Sequence, residues 1–154
     1  MELGAVVTII TDIDKLHSIS ELVDFKDYKQ IRNIIRDLKI AILEHPSSVG
    51  FSASQVGYSQ RMFVMYLNEK ITIFINPSIH AVIDSTAVSV KEGCMSLPGV
   101  KVDNINRFAA IKVHYYDEKG LSYYIDLYGY DSIVFQHELD HLNGKLITDY
   151  DSIA

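Results

Sequence analysis

Two histidines and a glutamate stand at the spacing that a metal-dependent hydrolase requires. The segment His137-Glu138-Leu139-Asp140-His141 places the histidines four residues apart, which is about one helical turn, so both imidazoles can reach one cation. Glu138 follows the first histidine and can serve as a general base on water rather than as a ligand. Apolar residues surround the motif and predict a largely buried helix, in which polar side chains need partners. We therefore predict that His137 and His141 bind a metal ion.

A third ligand is expected because a hydrolytic metal site usually has three protein ligands and one open position. Cys94, the only cysteine of the chain, lies in the segment Glu92-Gly93-Cys94-Met95-Ser96. A lone cysteine is often a small buried residue, but Gly93 lets the backbone approach closely and the flanks are turn-like. Beside the histidine pair, Cys94 is the candidate third ligand. Thiolate and imidazole donors suit zinc, cobalt, nickel or iron(II).

The periodicity of apolar side chains predicts two helices that must position these residues. Helical spacing runs over 24–43, and Pro46 requires the helix to end by about Glu44. The metal-binding motif lies on a second helix over 132–142, with Asp131 or Ser132 as its N-cap. Asn143-Gly144 is the expected stop of that helix.

Short strands fill most of the remaining chain. Alternating patterns and turn signals predict strands over 61–67, 70–75, 79–84, 87–90, 110–116 and 121–127, with Asn76-Pro77 closing the second. Short turns between strands favour antiparallel pairing. The expected fold class is α+β, with small antiparallel sheets packed around a central helix that carries the His-Glu-x-x-His motif, and one N-terminal helix. We expect one catalytic domain over residues 1–154.

The composition argues against several classes of function. The 154 residues carry a formal net charge of −6, and a protein that binds nucleic acid directly would instead need an excess of Lys and Arg. One cysteine cannot form an intramolecular disulfide. No apolar run approaches the roughly 20 residues of a membrane span, and the first ten residues carry no basic leader. These features favour a cytoplasmic protein without a membrane anchor.

Three segments, in this order, resemble the motifs of the peptide deformylase family. The family patterns are Gly-φ-Gly-φ-Ala-Ala-x-Gln, Glu-Gly-Cys-φ-Ser and His-Glu-φ-Asp-His, where φ is apolar. The second and third match in full at 92–96 and 137–141, and the first is approximated at 48–55. There, Ser48 replaces the first glycine and Ser52 replaces an alanine. The side chain of Ser48 could narrow a peptide groove or forbid a backbone with positive φ.

The resemblance implies a metal-dependent hydrolase that removes the N-formyl group from the N-terminal methionine of newly made polypeptides and releases formate. It implies that Cys94, His137 and His141 bind one divalent metal ion, commonly Fe²⁺ in the family, with Zn²⁺, Ni²⁺ or Co²⁺ as alternatives. In that site Glu138 shuttles the proton. The expected partners are N-formyl-methionyl nascent peptides, and the family suggests a monomer.

Substrate-binding residues also follow from the resemblance. Gln55 and the backbone N–H of Met95 would face the formyl oxygen, and Gly50 would contribute main-chain contact to the bound peptide. Residues near the positions that shape the methionine pocket are Val49, Val90, Tyr130, Ile133 and Val134. The chain ends at Ala154, where many relatives continue into a C-terminal helix. That helix helps some bacterial relatives dock on the ribosome, so the resemblance leaves ribosome contact in doubt.

Two other interpretations remain open at the level of sequence. The His-Glu-x-x-His motif also marks zinc endopeptidases, although their third ligand usually lies downstream, where Asp149 and Asp151 are the obvious candidates. A non-enzymatic metal-binding or peptide-binding module is the second alternative. Glu92 and Arg107 are likewise open, since they either support a metal ligand or are two ordinary surface charges.

Overall fold

The computed structural model describes residues 7–150. Its helices are α1 (Ile13–Leu16), α2 (Tyr28–Glu44) and α3 (Tyr130–Leu142). Its strands are β1 (Gly50–Ser52), β2 (Met62–Leu67), β3 (Lys70–Val88), β4 (Glu92–Cys94), β5 (Leu97–Val102), β6 (Arg107–Tyr116) and β7 (Ser122–Tyr128). Short 3₁₀ turns occupy Ala53–Val56 and Ile147–Asp149. Three features discussed for the sequence lie outside the described residues. They are the first six residues of the segment predicted to lack a leader, the candidate ligand Asp151 and the terminus at Ala154.

Five strands form one antiparallel sheet in the order β1-β2-β3-β6-β7, and β4 pairs with β5 in a separate hairpin. Helix α3 contacts β1, β2, β6 and β7 of the larger sheet. The predicted α+β class, with antiparallel sheets around the helix of the histidine motif, is therefore confirmed.

The larger sheet lies between helices α2 and α3, and the side chains of strand β2 contact both layers. Its side chains alternate, so Met62 and Val64 pack into the cluster that contains the apolar face of α2. Phe63 and Met65 pack on the opposite side, in the cluster that contains Phe135 of α3. This double burial fixes α3 against the sheet and gives the histidine motif a rigid support. Within residues 7–150, no helix is long and apolar enough to cross a membrane.

Strand β3 differs from the prediction. Asn76-Pro77 does not end a strand, and the separate strands expected over 79–84 and 87–90 are replaced by the single irregular strand β3. The pairing with β6 absorbs the interruption through a register shift between Ile75 and Ser78. Asn76 takes a positive φ of 47° there, and its Oδ1 accepts a hydrogen bond from the backbone N–H of Val23 at 2.8 Å. Asn76-Pro77 therefore forms a bulge within strand β3 instead of the predicted strand end.

The helix ends agree with the prediction except at two N-termini. Helix α2 begins after its N-cap Asp27 rather than near residue 24, and it ends at Glu44 as predicted. The N-cap of α3 is Gly129, so the prediction of Asp131 or Ser132 is wrong. The reason is that the N–H of Gly129 still pairs with a β6 carbonyl (2.9 Å), and the chain turns into the helix at that point. At the C-terminus, Asn143 is the cap and Gly144 follows with a φ of 72°, as the predicted stop requires.

Candidate metal centre

The three predicted ligands meet in space, although Cys94 is more than 40 residues from the histidines in sequence. Cys94 is the last residue of β4, and the hairpin with β5 carries its thiol to the face of α3 that bears His137 and His141. One donor atom from each residue lies within 4.8 Å of the others, and Cys94 Sγ is 3.4 Å from His141 Nε2. One thiol and two imidazoles therefore converge as they would around one cation.

The state of these groups fits a metal ion. Burial lowers the pKa of His141 well below its ordinary value, and the nearby charges of His137 and Arg107 add to that effect. His141 is therefore neutral at physiological pH, which is the form that binds a metal. Among the residues that the structure describes, Glu138 Oε1 is buried without a protein hydrogen-bond partner. An orphaned carboxylate oxygen beside three candidate ligands indicates a site built for a ligand.

Glu92 orients the other histidine. Its Oε1 lies 2.9 Å from His137 Nδ1, which leaves Nε2 of that ring to face the centre. Arg107 grips the same carboxylate with two hydrogen bonds, from Nη2 at 2.8 Å and from Nε at 3.0 Å. Both side chains are almost fully buried, so the interpretation of Glu92 and Arg107 as surface charges is wrong.

The surroundings of Glu92 and His137 shift the pKa of each group in the direction opposite to the effect of burial. Burial alone would raise the pKa of Glu92, but the hydrogen bonds from His137 and Arg107 outweigh burial and hold it below its usual value. For His137, burial would lower the pKa, but hydrogen bonds to Cys94 and Glu92 raise it to about 10. The surroundings of His137 therefore favour a positive charge, and a metal ion would take the place of the Nε2 proton, because only the neutral ring is a ligand.

Two further members of this network were missed by the sequence reasoning. Arg107 Nη1 donates to Asp140 Oδ2 at 2.6 Å, and the Tyr150 hydroxyl donates to the same oxygen at 2.6 Å. Asp140 lies between the two histidines in the His-Glu-φ-Asp-His motif. Its position in that motif is the sequence signal that could have identified it. Nothing in the local sequence points to Tyr150, because it joins the network only through the fold.

The carboxylate of Glu138 lies against the backbone of β1. A Cβ atom at Gly50 would be 2.8 Å from Glu138 Oε2 and 3.0 Å from the carbonyl oxygen of Val64. Glycine at this position therefore makes room for the carboxylate. Burial raises the pKa of Glu138 to about 7, against the opposing effects of His137 and Arg107. The group can thus exist with or without its proton near neutral pH.

Gln55 lies beside the thiol. Its Oε1 accepts a hydrogen bond from the backbone N–H of Ser52 at 2.9 Å, which orients the amide. Its Nε2 donates to Cys94 Sγ and to Ser96 Oγ, each at 3.2 Å. The contacts of Ser52 and Ser96 with Gln55 were not predicted. Ser48, in contrast, donates to the carbonyl oxygen of Gly50 at 2.9 Å and is not among the residues with positive φ, so the expected backbone conflict does not arise.

A cleft of about 460 Å³ opens in front of these groups. Of the residues predicted for the site, His141 does not line it. The others do, and they are Val49, Gly50, Gln55, Val90, Cys94, Met95, Tyr130, Ile133, Val134, His137 and Glu138. A volume of this size is typical of a pocket for a small molecule or a peptide end.

Comparison with known proteins places this site in a family. The model of the polypeptide deformylase family matches residues 6–152. The chain is 44% identical over 110 residues to a peptide deformylase of Thermotoga sp. strain RQ2, a match that covers 71% of this chain and 66% of that protein. It is 40% identical over 130 residues to the peptide deformylase of Borreliella burgdorferi, covering 79% and 78% of the two chains. The crystal structure of peptide deformylase from Thermotoga maritima superposes with a TM-score of 0.85 at 36% identity, covering 95% of this chain and 97% of that one.

Proposed function

This chain belongs to the polypeptide deformylase family, and on that premise we propose that it removes the N-formyl group from the N-terminal methionine of newly made polypeptides and releases formate. The observation that carries this proposal is the meeting of Cys94, His137 and His141 within 4.8 Å, with Gln55 and Glu138 lining the cleft in front of them. An amide is a poor electrophile and water is a poor nucleophile. The residues of this cleft must therefore activate both.

We propose that Cys94 Sγ, His137 Nε2 and His141 Nε2 hold one divalent metal ion. When bound, such an ion supplies Lewis acidity toward water and toward a carbonyl oxygen. A donor set of one thiolate and two imidazoles suits Fe²⁺, Zn²⁺, Ni²⁺ or Co²⁺. We propose Fe²⁺ as the native ion, in keeping with the family. Elemental analysis of protein purified without oxygen is the measurement that tests the choice.

Glu138 is the proposed proton carrier. Its carboxylate is buried at the cleft, and one of its oxygens has no partner among residues 7–150, so it can accept a hydrogen bond from an attacking water. Attack on the formyl carbon requires that this water lose its proton, and breaking the C–N bond requires that the departing amine gain one. A single carboxylate between the two positions can take the proton and then deliver it.

Gln55 and the backbone N–H of Met95 are the proposed donors to the oxyanion that develops on the formyl oxygen. Such donors typically contribute about 3 to 4 kcal/mol to transition-state stabilisation. The Gln55 amide is already held in place through Ser52. Both of its Nε2 hydrogens point to Cys94 and Ser96, so one of these two bonds must yield when the amide donates to substrate.

The rest of the cleft is proposed to bind the methionyl end of the peptide. Gly50 offers its backbone to the peptide main chain. The methionine side chain would lie against residues that are apolar or aromatic and line the same cleft, namely Val49, Val90, Tyr130, Ile133 and Val134. Of these, Ile133 and Val134 are buried and Val49 and Val90 are about one third exposed. The protein is further proposed to act as a monomer in the cytoplasm, where nascent peptides are made.

The decisive experiment loads the protein with Fe²⁺ or Ni²⁺ and measures formate release from a formyl-Met tripeptide. We expect release by the wild type and a loss of at least about 100-fold in the Glu138→Ala variant, with metal still bound. Glu118→Ala, in the turn between β6 and β7, is the matched control and should behave as wild type. Absence of formate from the metal-loaded wild type would contradict the proposal and favour a binding module. Digestion of casein by the pure protein would instead favour an endopeptidase.

A further inference from the structure

A serine occupies position 52, where the family pattern has the first of two alanines. Ser52 is the last residue of strand β1, and its side chain is fully buried. A buried hydroxyl needs a hydrogen-bond partner, because it has lost its contacts with water. An alanine at this position would need none, so the partners of the hydroxyl define what the serine adds to the site.

Two oxygen atoms lie within hydrogen-bond distance of the Ser52 hydroxyl. Ser54 Oγ is 2.9 Å away, and Gln55 Oε1 is 3.3 Å away. An amide oxygen can only accept, so Ser52 must donate its single proton in the bond to Gln55. The Ser54 hydroxyl is then the donor to Ser52. The three side chains therefore form a chain of hydrogen bonds that ends at the amide of Gln55.

The Gln55 amide is held at both of its ends. Its Oε1 accepts from the backbone N–H of Ser52 at 2.9 Å as well as from the hydroxyl, which uses both lone pairs of the oxygen. Its Nε2 donates to Cys94 Sγ and to Ser96 Oγ. A flipped amide would place its NH₂ group against the N–H of Ser52, donor against donor. The bonds that Oε1 accepts also polarise the amide and strengthen its N–H groups as donors.

We propose that Ser52 is a positioning residue of the reaction and acts through Gln55. The role rests on the proposed function, in which the Gln55 amide donates to the oxyanion that develops on the formyl oxygen. When one Nε2 bond yields to the substrate, the two bonds at Oε1 keep the amide oxygen in place, and Nε2 turns toward the formyl oxygen about that point. A donor that is held in advance needs less reorganisation when the charge develops.

The benefit of this positioning belongs to the transition state, so it should appear in kcat rather than in KM. A distance of 3.3 Å is long for a hydroxyl donor, which limits the size of the effect. Ser52→Ala restores the residue of the family pattern and removes only the hydroxyl. We expect this variant to release formate from a formyl-Met tripeptide with a kcat about threefold below that of the wild type and with an unchanged KM.

A double-mutant cycle separates positioning from a general structural effect. If Ser52 acts through Gln55, Ser52→Ala should have no further effect on kcat in a protein that already carries Gln55→Ala. Ser20→Ala is the matched control, because Ser20 is also buried but its hydroxyl has no partner within residues 7–150. This control should keep the wild-type kcat and KM.

Nuclear magnetic resonance of the Zn²⁺-loaded protein gives a readout that does not depend on activity. The Gln55 side-chain amide produces a pair of proton–nitrogen signals, which are assigned by their loss in Gln55→Ala. Both protons should exchange slowly with water in the wild type, because the amide is buried and fully hydrogen-bonded. Ser52→Ala should shift this pair of signals and speed its exchange, and Ser20→Ala should leave both properties unchanged.

An unchanged kcat in Ser52→Ala, an equal loss of kcat with and without Gln55→Ala, or unchanged Gln55 signals would overturn the proposal. Failure of the proposed function is recognised separately, since the wild type would then release no formate. In that case the Gln55 signals alone decide whether Ser52 orients the amide.

Discussion

The inner wall of the cleft and its mouth are built in different ways. At the inner wall, Glu92 and Glu138 line the cleft, and Arg107 and His141 lie behind it in contact with Glu92 and Cys94. All four of these residues are at most 5% exposed. At the mouth Val49 is 37%, Val90 38% and Tyr130 54% exposed, and Lys101 is also exposed. The same ligand would therefore meet buried polar groups at one end and water-accessible side chains at the other.

This difference has an energetic consequence. A charged group at the inner wall has lost its hydration and depends on a protein partner. Removing one charged group therefore leaves its partner buried and unpaired, at the full energetic cost of that burial. A charge at the mouth is screened by water and acts alone. Substitutions at the inner wall should therefore have large effects that spread along the network, whereas those at the mouth should be small and local.

The largest effect is expected from Cys94→Ala. Loss of one of three ligands should weaken metal binding by more than the roughly 100-fold that removal of a residue behind a ligand can cost. Metal retention during competition with a chelator, followed by elemental analysis, is the measurement, and formate release should fall with the metal content. Val90→Ala at the mouth should retain the metal. A Cys94→Ala variant that keeps one equivalent of metal would show that the thiol is not a ligand.

Arg107→Met should produce the next largest effect, now on stability. The substitution leaves the buried carboxylate of Glu92 and the partly buried carboxylate of Asp140 without their shared cation, and breaking a buried ion pair typically costs about 3 to 5 kcal/mol. Chemical denaturation of the metal-loaded protein measures the loss. Arg32→Met on the exposed face of α2 is the matched control, with an expected change within about 0.5 kcal/mol. Similar losses in both variants would mean that the inner wall tolerates an unpaired charge.

The contrast between wall and mouth also explains what the sequence could predict. The spacing of His137 and His141 depends only on helix geometry, so one motif predicts the helix, its buried face and two ligands together. Cys94 was identified through its motif, but the hairpin that carries it was not predicted, because its pairing register with β5 includes a bulge after Gly93. A local sequence pattern predicts one helix or strand at a time, whereas this hairpin is defined by contacts between two strands.

The failures have the same physical origin. Asn76-Pro77 has the composition of a strand end, yet pairing with β6 carries β3 through it as a bulge. Gly129 caps α3 because its N–H belongs to the sheet, a long-range contact that outweighs the capping propensity of Asp131 and Ser132. Tyr150 joins the network of Arg107 and Asp140 only once the chain has returned to β6. In each case tertiary contact overrides a local preference.

Gly50→Ala should separate the geometry of the inner wall from its charge. The new methyl group would lie 2.8 Å from Glu138 Oε2 and 3.0 Å from the Val64 carbonyl, so the carboxylate must move. A displacement near 1 Å at a reacting group can lower the rate by about 100-fold, and we expect that loss in kcat rather than in KM. Gly120→Ala, a positive-φ glycine in the β6–β7 turn, controls for backbone strain and should lower stability without lowering kcat. An unchanged kcat in Gly50→Ala would show that Glu138 does not act from this position.

The smallest effect is expected at the outer end of the network, from Tyr150→Phe. Its hydroxyl donates to Asp140 Oδ2 at 2.6 Å but lies on a half-buried side chain, and Arg107 still pairs with that oxygen when the hydroxyl is removed. A hydrogen bond to a charged group contributes about 1.5 to 3 kcal/mol, and partial access to water should bring the loss to the lower end of that range. Tyr128→Phe, on a largely exposed side chain, should change the free energy of unfolding by less than about 0.5 kcal/mol. If the two variants have the same free energy of unfolding, the energetic coupling of the buried network ends at Asp140. Tyr150 then behaves like the water-accessible side chains at the mouth.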